Sequence, residues 1–329
     1  MAVLVTGGAG YIGSHMVCEL TDRGEETHVV DDLSTGFRWA VAPKARLTVG
    51  DIADEALVGA LIDKHRIDAI IHFAGSIVVP DSITDPLGYY LNNTVRSRAL
   101  LATAIRHKVR HFIFSSTAAV YGIPAMSPVY EDTPLAPISP YGSSKMMTEI
   151  MLRDTAAAHK LGYAALRYFN VAGADPEGRT GQSTPRATHL IKVAAQAALG
   201  QRPHLEIFGT DYGTPDGTCI RDYIHVSDLV RAHSAALDHL RKGGENLTVN
   251  CGYGRGYSVR EVIAAVKKAS GKDFKVKEAG RRDGDPPELV AGNRRILKAI
   301  KWRPRYDNLD FIVETALEWE RRLAKHQAA

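Results

Sequence analysis

The first thirteen residues constrain the fold more than any other stretch. Val3–Thr6 is a short apolar run, and Gly7, Gly10 and Gly13 follow it in a Gly-x-x-Gly-x-x-Gly spacing that leads into a helical segment. Glycines so placed allow a tight turn and let backbone N–H groups approach a pyrophosphate at a helix N-terminus. Such a loop needs a strand before it and a helix after it. The first half of the chain repeats that order. Strands are expected at Val3–Thr6, Thr27–Asp31, Arg46–Val49, Ala69–Phe73, His111–Ser115 and Ala164–Tyr168. Helices are expected at Gly13–Arg23, Glu55–Lys64, Asn92–His107 and Tyr141–Leu161. Several of these strands are apolar throughout, as in a parallel sheet covered on both faces. The fold class is therefore α/β, a doubly wound parallel Rossmann sheet.

The second half is less regular. Residues 171–189 are rich in Gly, Pro, Thr and Arg and read as a loop leaving the sheet, followed by a helix at His189–Leu199. A helix at Asp228–Leu240 and a strand at Leu247–Asn250 can return to the sheet. Residues 1–170 plus about 221–255 are then expected to form a nucleotide-binding domain. About 171–220 plus 256–329 would form a smaller α/β substrate-binding domain.

Composition narrows the partners. The chain has 329 residues, a formal charge of +4 and only short basic spots, at Arg281-Arg282, Arg294-Arg295 and Arg321-Arg322. A nucleic-acid binder would concentrate its charge in a stripe, so no nucleic acid is expected. Isolated arginines suit a phosphorylated small molecule. Cys18, Cys219 and Cys251 show no disulfide or zinc spacing, so buried reduced thiols and no metal are expected. No cationic apolar leader precedes the first strand, and no apolar run approaches the roughly 20 residues that span a bilayer. A cytoplasmic protein without membrane contact is expected.

Asp31 ends the second strand, 18 residues after Gly13. A carboxylate there can accept from ribose hydroxyls and would repel a 2′-phosphate, and Asp32 follows with no adjacent arginine, so NAD is favoured over NADP. Asp51 is an adenine-side candidate or a plain turn residue. Phe73-Ala74-Gly75 is small enough for close passage of a cofactor. Further on, Tyr141 and Lys145 are spaced i,i+4, on one face of a helix. A lysine ~4 Å from the phenol contributes roughly 4 kcal/mol at an effective dielectric of about 20, or about three pKa units. The pair, with Thr117 upstream, suits removal of a proton from an alcohol beside an oxidised nicotinamide.

With these motifs the chain resembles the extended short-chain dehydrogenase/reductase family over nearly its whole length, and within it the epimerases of UDP-hexoses. The resemblance rests on Thr6–Gly13 with Ser14-His15, on residues 113–122 (IFSSTAAVYG), on Ser139–Lys145, on residues 166–170 (LRYFN) and on residues 208–229 (FGTDYGTPDGTCIRDYIHVSDL). It implies interconversion of UDP-glucose and UDP-galactose through a 4-keto sugar, with tightly held NAD and a homodimer formed by the helices near 92–107 and 141–161. It implies Tyr141 as base and acid, Lys145 as ribose ligand lowering the phenol's pKa, and Thr117 as partner of the C4 hydroxyl. Tyr11, Ile12, Ile52, Asn92, Ser115 and Tyr168 join the glycine loop, Asp31, Asp32, Asp51 and Phe73–Gly75 in holding NAD. Asn93, Asn170, His189, Leu190, Phe208, Arg221, Tyr223, Arg282, Asp285 and Leu289 are implied on the UDP-sugar side.

Three positions depart from the family pattern. Ile77 replaces a common cofactor-ribose lysine. His189 stands where an Asn commonly meets the diphosphate, so its protonation could make binding pH-dependent. Leu289 is intermediate between the bulky aromatic of glucose/galactose-restricted members and the smaller residue of those taking N-acetylated sugars. An N-acetylhexosamine, glucuronate or xylose 4-epimerase is therefore the alternative. A 4,6-dehydratase needs titratable groups after Thr117, where Ala118 and Ala119 stand, and a decarboxylase tends to carry a Glu nearby. A non-catalytic NAD sensor would typically lose the Tyr or the Lys.

Overall fold

The structure is a computed structural model that describes residues 1–184, 187–282 and 284–328. Its strands are β1 (Ala2–Thr6), β2 (Glu26–Asp31), β3 (Arg46–Val49), β4 (Ile67–His72), β5 (His111–Thr117), β6 (Gly162–Tyr168), β7 (Asn170–Ala172), β8 (Leu205–Phe208), β9 (Ile220–His225), β10 (Leu247–Cys251), β11 (Gly256–Ser258), β12 (Val276–Ala279) and β13 (Glu288–Leu289). Its helices are α1 (Tyr11–Asp22), α2 (Glu55–His65), α3 (Val79–Thr84), α4 (Pro86–Tyr89), α5 (Arg96–Arg106), α6 (Pro140–Ala158), α7 (Leu190–Ala198), α8 (Val226–Arg241), α9 (Val259–Ser270), α10 (Arg294–Ala299) and α11 (Leu309–Ala328).

Seven strands make the main sheet in the order β10-β6-β5-β4-β1-β2-β3, every neighbouring pair parallel. β1 and β4 are buried at every position, which explains the apolar runs 2–5 and 69–71 within them. The order reverses between β1 and β4, and at such a switch point a crevice opens beyond the carboxyl ends of the strands. The glycine loop follows β1 there, and Phe73-Ala74-Gly75 follows β4. The expected doubly wound sheet is present.

A second sheet surrounds β9. β11 runs antiparallel to its first half, β13 parallel to it, and β7 pairs with its second half. β12 and β8 form a separate parallel pair. The segment from 221 was expected within the nucleotide-binding part, yet Ile220–His225 is the centre of this second sheet. The strand expected at Leu247–Asn250 is β10, and it closes the main sheet against β6.

Local chemistry sets the helix ends. Ser139 caps α6 by accepting from Gly142 N, and Pro140 occupies the first turn, where its missing N–H costs nothing. Ser258 and Glu261 form a reciprocal capping box on α9, and Gly271 ends it at φ 64°. The helix expected at Asn92–His107 instead begins with a π-helical turn, Tyr90–Val95, before α5. That extra width turns Asn92 and Asn93 toward the switch point, in keeping with the frequency of such turns at functional sites. One apolar core runs through both parts, joining Val3 and Val5 to Ile191, Leu205, Val262 and Val313. Cys18, Cys219 and Cys251 are buried and free. Among the described residues no helix is long and apolar enough to cross a membrane.

Candidate active site

The glycine loop has the geometry its spacing demands. Gly7 has φ +70°, and a Cβ on it would fall 2.5 Å from Ala74 N. A Cβ on Gly13 would fall 2.1 Å from Gly7 O. Both residues must be glycine for β1, β4 and α1 to meet so closely. Gly10 is the N-cap of α1, with no side-chain cap and no acidic residue in the first turn. The free N–H groups and positive end of a twelve-residue helix therefore face the crevice, a cradle for a pyrophosphate. Ile12 is half-buried in that first turn, and the Tyr11 phenol donates to Gly173 O at 2.7 Å, tying the loop to the segment after β7. Asp31 accepts from Ala9 N at 2.8 Å and from Leu33 N at 2.9 Å, while burial raises its carboxyl above the usual range. Asp32 is exposed and engages Ser34. These residues fit an NAD molecule: a cradle for its pyrophosphate and a carboxylate at the strand end for its ribose.

Two other cofactor-side residues have additional partners. Asp51 forms an ion pair with Arg96, Nε to Oδ2 3.2 Å, and accepts from Ala53 N. Ile52 beside it is buried. Asn92 donates to Ser76 Oγ at 2.8 Å and accepts from Arg96 at 3.0 Å. Ile77, where the family commonly has lysine, is exposed.

Thr117 ends β5, Tyr141 lies in the first turn of α6 and Lys145 one turn later, all three buried. Register pairs Thr117 with Tyr168 on β6, while Ser115 lies two residues earlier on β5. Burial raises the Tyr141 phenol well above its ordinary value and the neighbouring Tyr168 adds to this; interaction with the Thr117 side chain pulls the other way. The Lys145 Nζ donates to Ser115 O at 3.2 Å and stands 5.0 Å from the centre of the Phe114 ring. Burial brings Lys145 itself down to about 8.

Asn93 is buried, its Oδ1 accepts from Ser76 N at 2.7 Å, and its Nδ2 donates to Ser76 O at 3.0 Å and Ser144 Oγ at 3.1 Å. Both amide hydrogens are used, so Asn93 fixes the loop after Gly75 against α6. Behind it runs a chain absent from the sequence reading. Burial lowers His72 to about 3, so the ring is neutral. Ser97 Oγ donates to Asn93 O at 2.6 Å and therefore accepts from His72 Nε2, 2.8 Å away. His72 Nδ1 then accepts from Thr6 Oγ1 at 2.6 Å. The end of β1 is thereby linked to the π-helical turn.

β9 organises the far side. Register places Asn170 beside Tyr223 and Leu289 beside Arg221, one strand spacing apart. Arg221 reaches Asp285 at 3.3 Å and donates to Ile220 O at 2.9 Å. Arg282 lies flat on Phe208, 3.6 Å from the ring centre. Leu289 packs beside Tyr121 and Phe169. A cleft is lined by Asn170, His189, Leu190 and Tyr223 together with Tyr11 and Trp319. Thr117, Tyr141, Arg221 and Arg282 lie outside that lining. His189 precedes α7 without capping it by its side chain, and burial, with Lys192 nearby, lowers its pKa. The anticipated pH dependence therefore moves below the ordinary histidine range.

A buried pair behind Thr117 was also not anticipated. Arg167 grips Glu149 through Nε and Nη2, the latter at 2.6 Å, and Ser116 donates to the same carboxylate. Arg167 also donates to the Tyr121 hydroxyl at 2.9 Å. The pair joins α6 to β5 and β6.

Residues 3–252 match the NAD dependent epimerase/dehydratase family. The chain is 60% identical, over 98% of its length and 92% of the relative's, to a UDP-glucose 4-epimerase of Azospirillum brasilense. Among solved structures it is similar to UDP-glucose 4-epimerase from Brucella ovis in complex with NAD, at a TM-score of 0.94 and 44% identity, with 96% and 97% of the two chains covered. It is also similar to the UDP-Glc/GlcNAc 4-epimerase of Campylobacter jejuni, at a TM-score of 0.86 and 48% identity, with 98% and 99% covered.

Proposed function

Because the chain belongs to the NAD dependent epimerase/dehydratase family, we propose that it interconverts UDP-glucose and UDP-galactose by oxidation at C4 and re-reduction on the opposite face. The observation that carries this reading is the buried meeting of Thr117, at the end of β5, with Tyr141, in the first turn of α6, one strand from the switch point between β4 and β1. NAD, when bound, supplies a cationic hydride acceptor that afterwards returns the hydride. Tyr141, as the phenolate that the cofactor's positive charge favours, takes the C4 hydroxyl proton to become the phenol and later gives it back, and Thr117 holds that hydroxyl in line. A general acid/base of this kind contributes typically about 100- to 10,000-fold. Lys145 offers its ammonium to a ribose hydroxyl. Arg221 and Arg282 hold the diphosphate, with Asp285 toward the uridine ribose, Phe208 supporting Arg282, and Asn170, His189, Leu190 and Tyr223 completing the nucleotide's surroundings. Nucleotide binding energy then holds the substrate while the hexose is free to turn.

We divide the chain into a nucleotide-binding part, 1–170 plus about 226–255, and a sugar-nucleotide part around the second sheet. We also read the protein as a homodimer. Leu91 and Val95 are each 52% exposed, and Met147 and Ile150 on α6 are each 39% exposed, a patch suited to a second copy of the same helices.

The deciding experiment incubates purified protein with UDP-galactose and follows UDP-glucose, first without and then with added NAD. Conversion without added NAD supports epimerisation with retained cofactor. Failure in both conditions, with UDP-N-acetylgalactosamine converted instead, would move the reading to the N-acetylhexosamines.

A further inference from the structure

At the end of the main sheet remote from the glycine loop, two imidazoles and a carboxylate face one another. Glu26 opens β2 in register with Ala2, at the amino edge of the sheet. At about 3.3 Å per residue it lies roughly 16 Å along the strand from Asp31. Strand alternation puts Glu26, His28 and Val30 on one face, and Val30 packs with Val58 and Ile62 of α2. The last residue of α2 is His65, delivered to the same spot.

Glu26 Oε1 is 3.1 Å from His28 Nε2 and 4.0 Å from His65 Nδ1. The two rings lie 3.9 Å apart between centroids, tilted by 32°. One donor atom from each residue falls within 4.8 Å of the others. We propose that Glu26, His28 and His65 bind one divalent cation of the zinc class at this edge of the sheet.

Three observations favour a cation over a bare hydrogen bond. Tetrahedral coordination at about 2.0–2.1 Å sets neighbouring donors roughly 3.4 Å apart, within a small side-chain shift of the observed spacing. His28 is buried and fixed, whereas the Glu26 side chain is half-exposed and free to close on an ion, leaving a fourth position for water. The carboxyl end of α2, closed by Arg66 at φ 50°, presents peptide carbonyls whose dipole favours a cation. Arg46, 3.8 Å from Glu26 Oε1, and Lys64 oppose binding and will temper its strength. Two nitrogen donors with one carboxylate select Zn²⁺, Co²⁺ or Ni²⁺ over the oxygen-seeking Mg²⁺ and Ca²⁺. Bound there, the ion staples β2 to α2, remote from Thr117 and Tyr141.

The test uses untagged full-length protein treated with chelator, then dialysed against Zn²⁺, with bound metal and thermal midpoint as readouts. Wild type should take up one equivalent that raises the midpoint, and Mg²⁺ should not replace it. His65→Ala and Glu26→Gln, both at the surface end of the cluster, should bind at least about tenfold more weakly. Both should keep wild-type epimerase turnover, which certifies their fold. Absence of zinc uptake by wild type overturns the proposal, and so does uptake that is unchanged in His65→Ala.

Discussion

Lys145 Nζ donates to the carbonyl of Ser115 at 3.2 Å, which anchors the ammonium to β5 one helical turn from Tyr141. Its own titration is therefore the measurable consequence. Burial lowers Lys145 from 10.5 to about 8. Because the folded value lies below the unfolded one, the unfolded chain binds more protons between those limits, and stability gains from this group as pH rises from 8 toward 10.5. Below pH 8 the buried charge costs on the order of 3 kcal/mol. Lys145→Met should thus be more stable than wild type at pH 7, with the gap shrinking by pH 9.5. Urea midpoints of nucleotide-stripped protein at both pH values check this, and a constant gap would show that the lysine is not desolvated.

Tyr141→Phe removes one hydroxyl from a buried ring and leaves α6 intact. Turnover should fall at least about 100-fold while affinity for UDP stays within about twofold. Steady-state kinetics with calorimetric UDP binding separate the two. Normal kcat in this variant removes Tyr141 from the chemistry.

Asp31 holds Ala9 N and Leu33 N while its carboxylate faces the place for the adenosine ribose. Asp31→Asn keeps the size of the side chain but loses the charge and one of the two acceptors. NAD should bind at least about tenfold more weakly, and the preference over NADP should narrow. Equilibrium titration with both nucleotides measures the ratio; an unchanged ratio would place cofactor selection elsewhere.

Arg167→Met leaves the Glu149 carboxylate buried without its cation, which costs about 3–5 kcal/mol. Adding Glu149→Leu removes the stranded charge, so the double variant should be no less stable than the single one. Denaturation midpoints of the three proteins decide. A double variant weaker by the sum of both effects would mean that the two side chains act independently.

The readable parts of this molecule were those written locally. Gly7, Gly10 and Gly13 encode a close approach of backbone to backbone, and unbroken apolar runs such as residues 69–71 encode a strand covered on both faces. Tyr141 and Lys145 could be placed on one helix by their spacing, yet the direction of the ammonium depended on Ser115, thirty residues away. Asn93 was legible as a site residue but not as one consumed by Ser76 and Ser144. The chain from Thr6 through His72 and Ser97 has no periodic signature, since each member is an isolated polar residue in an apolar or helical setting. β7 and β13 escaped notice because three- and two-residue strands carry no alternation; only pairing with β9 defines them.

The core that passes without a break from Val3 to Val313 has a consequence for anyone dividing this chain. The nucleotide cradle is not a portable cassette. A fragment ending at Tyr168 would lack β10 and expose β6 as a raw edge, open to pairing with other chains. It would also lose α8, which packs across α1 directly behind the glycine loop. Grafting a new sugar-binding half onto the cradle therefore means rebuilding its hydrophobic floor, whereas redesigning the residues lining the crevice leaves that floor untouched.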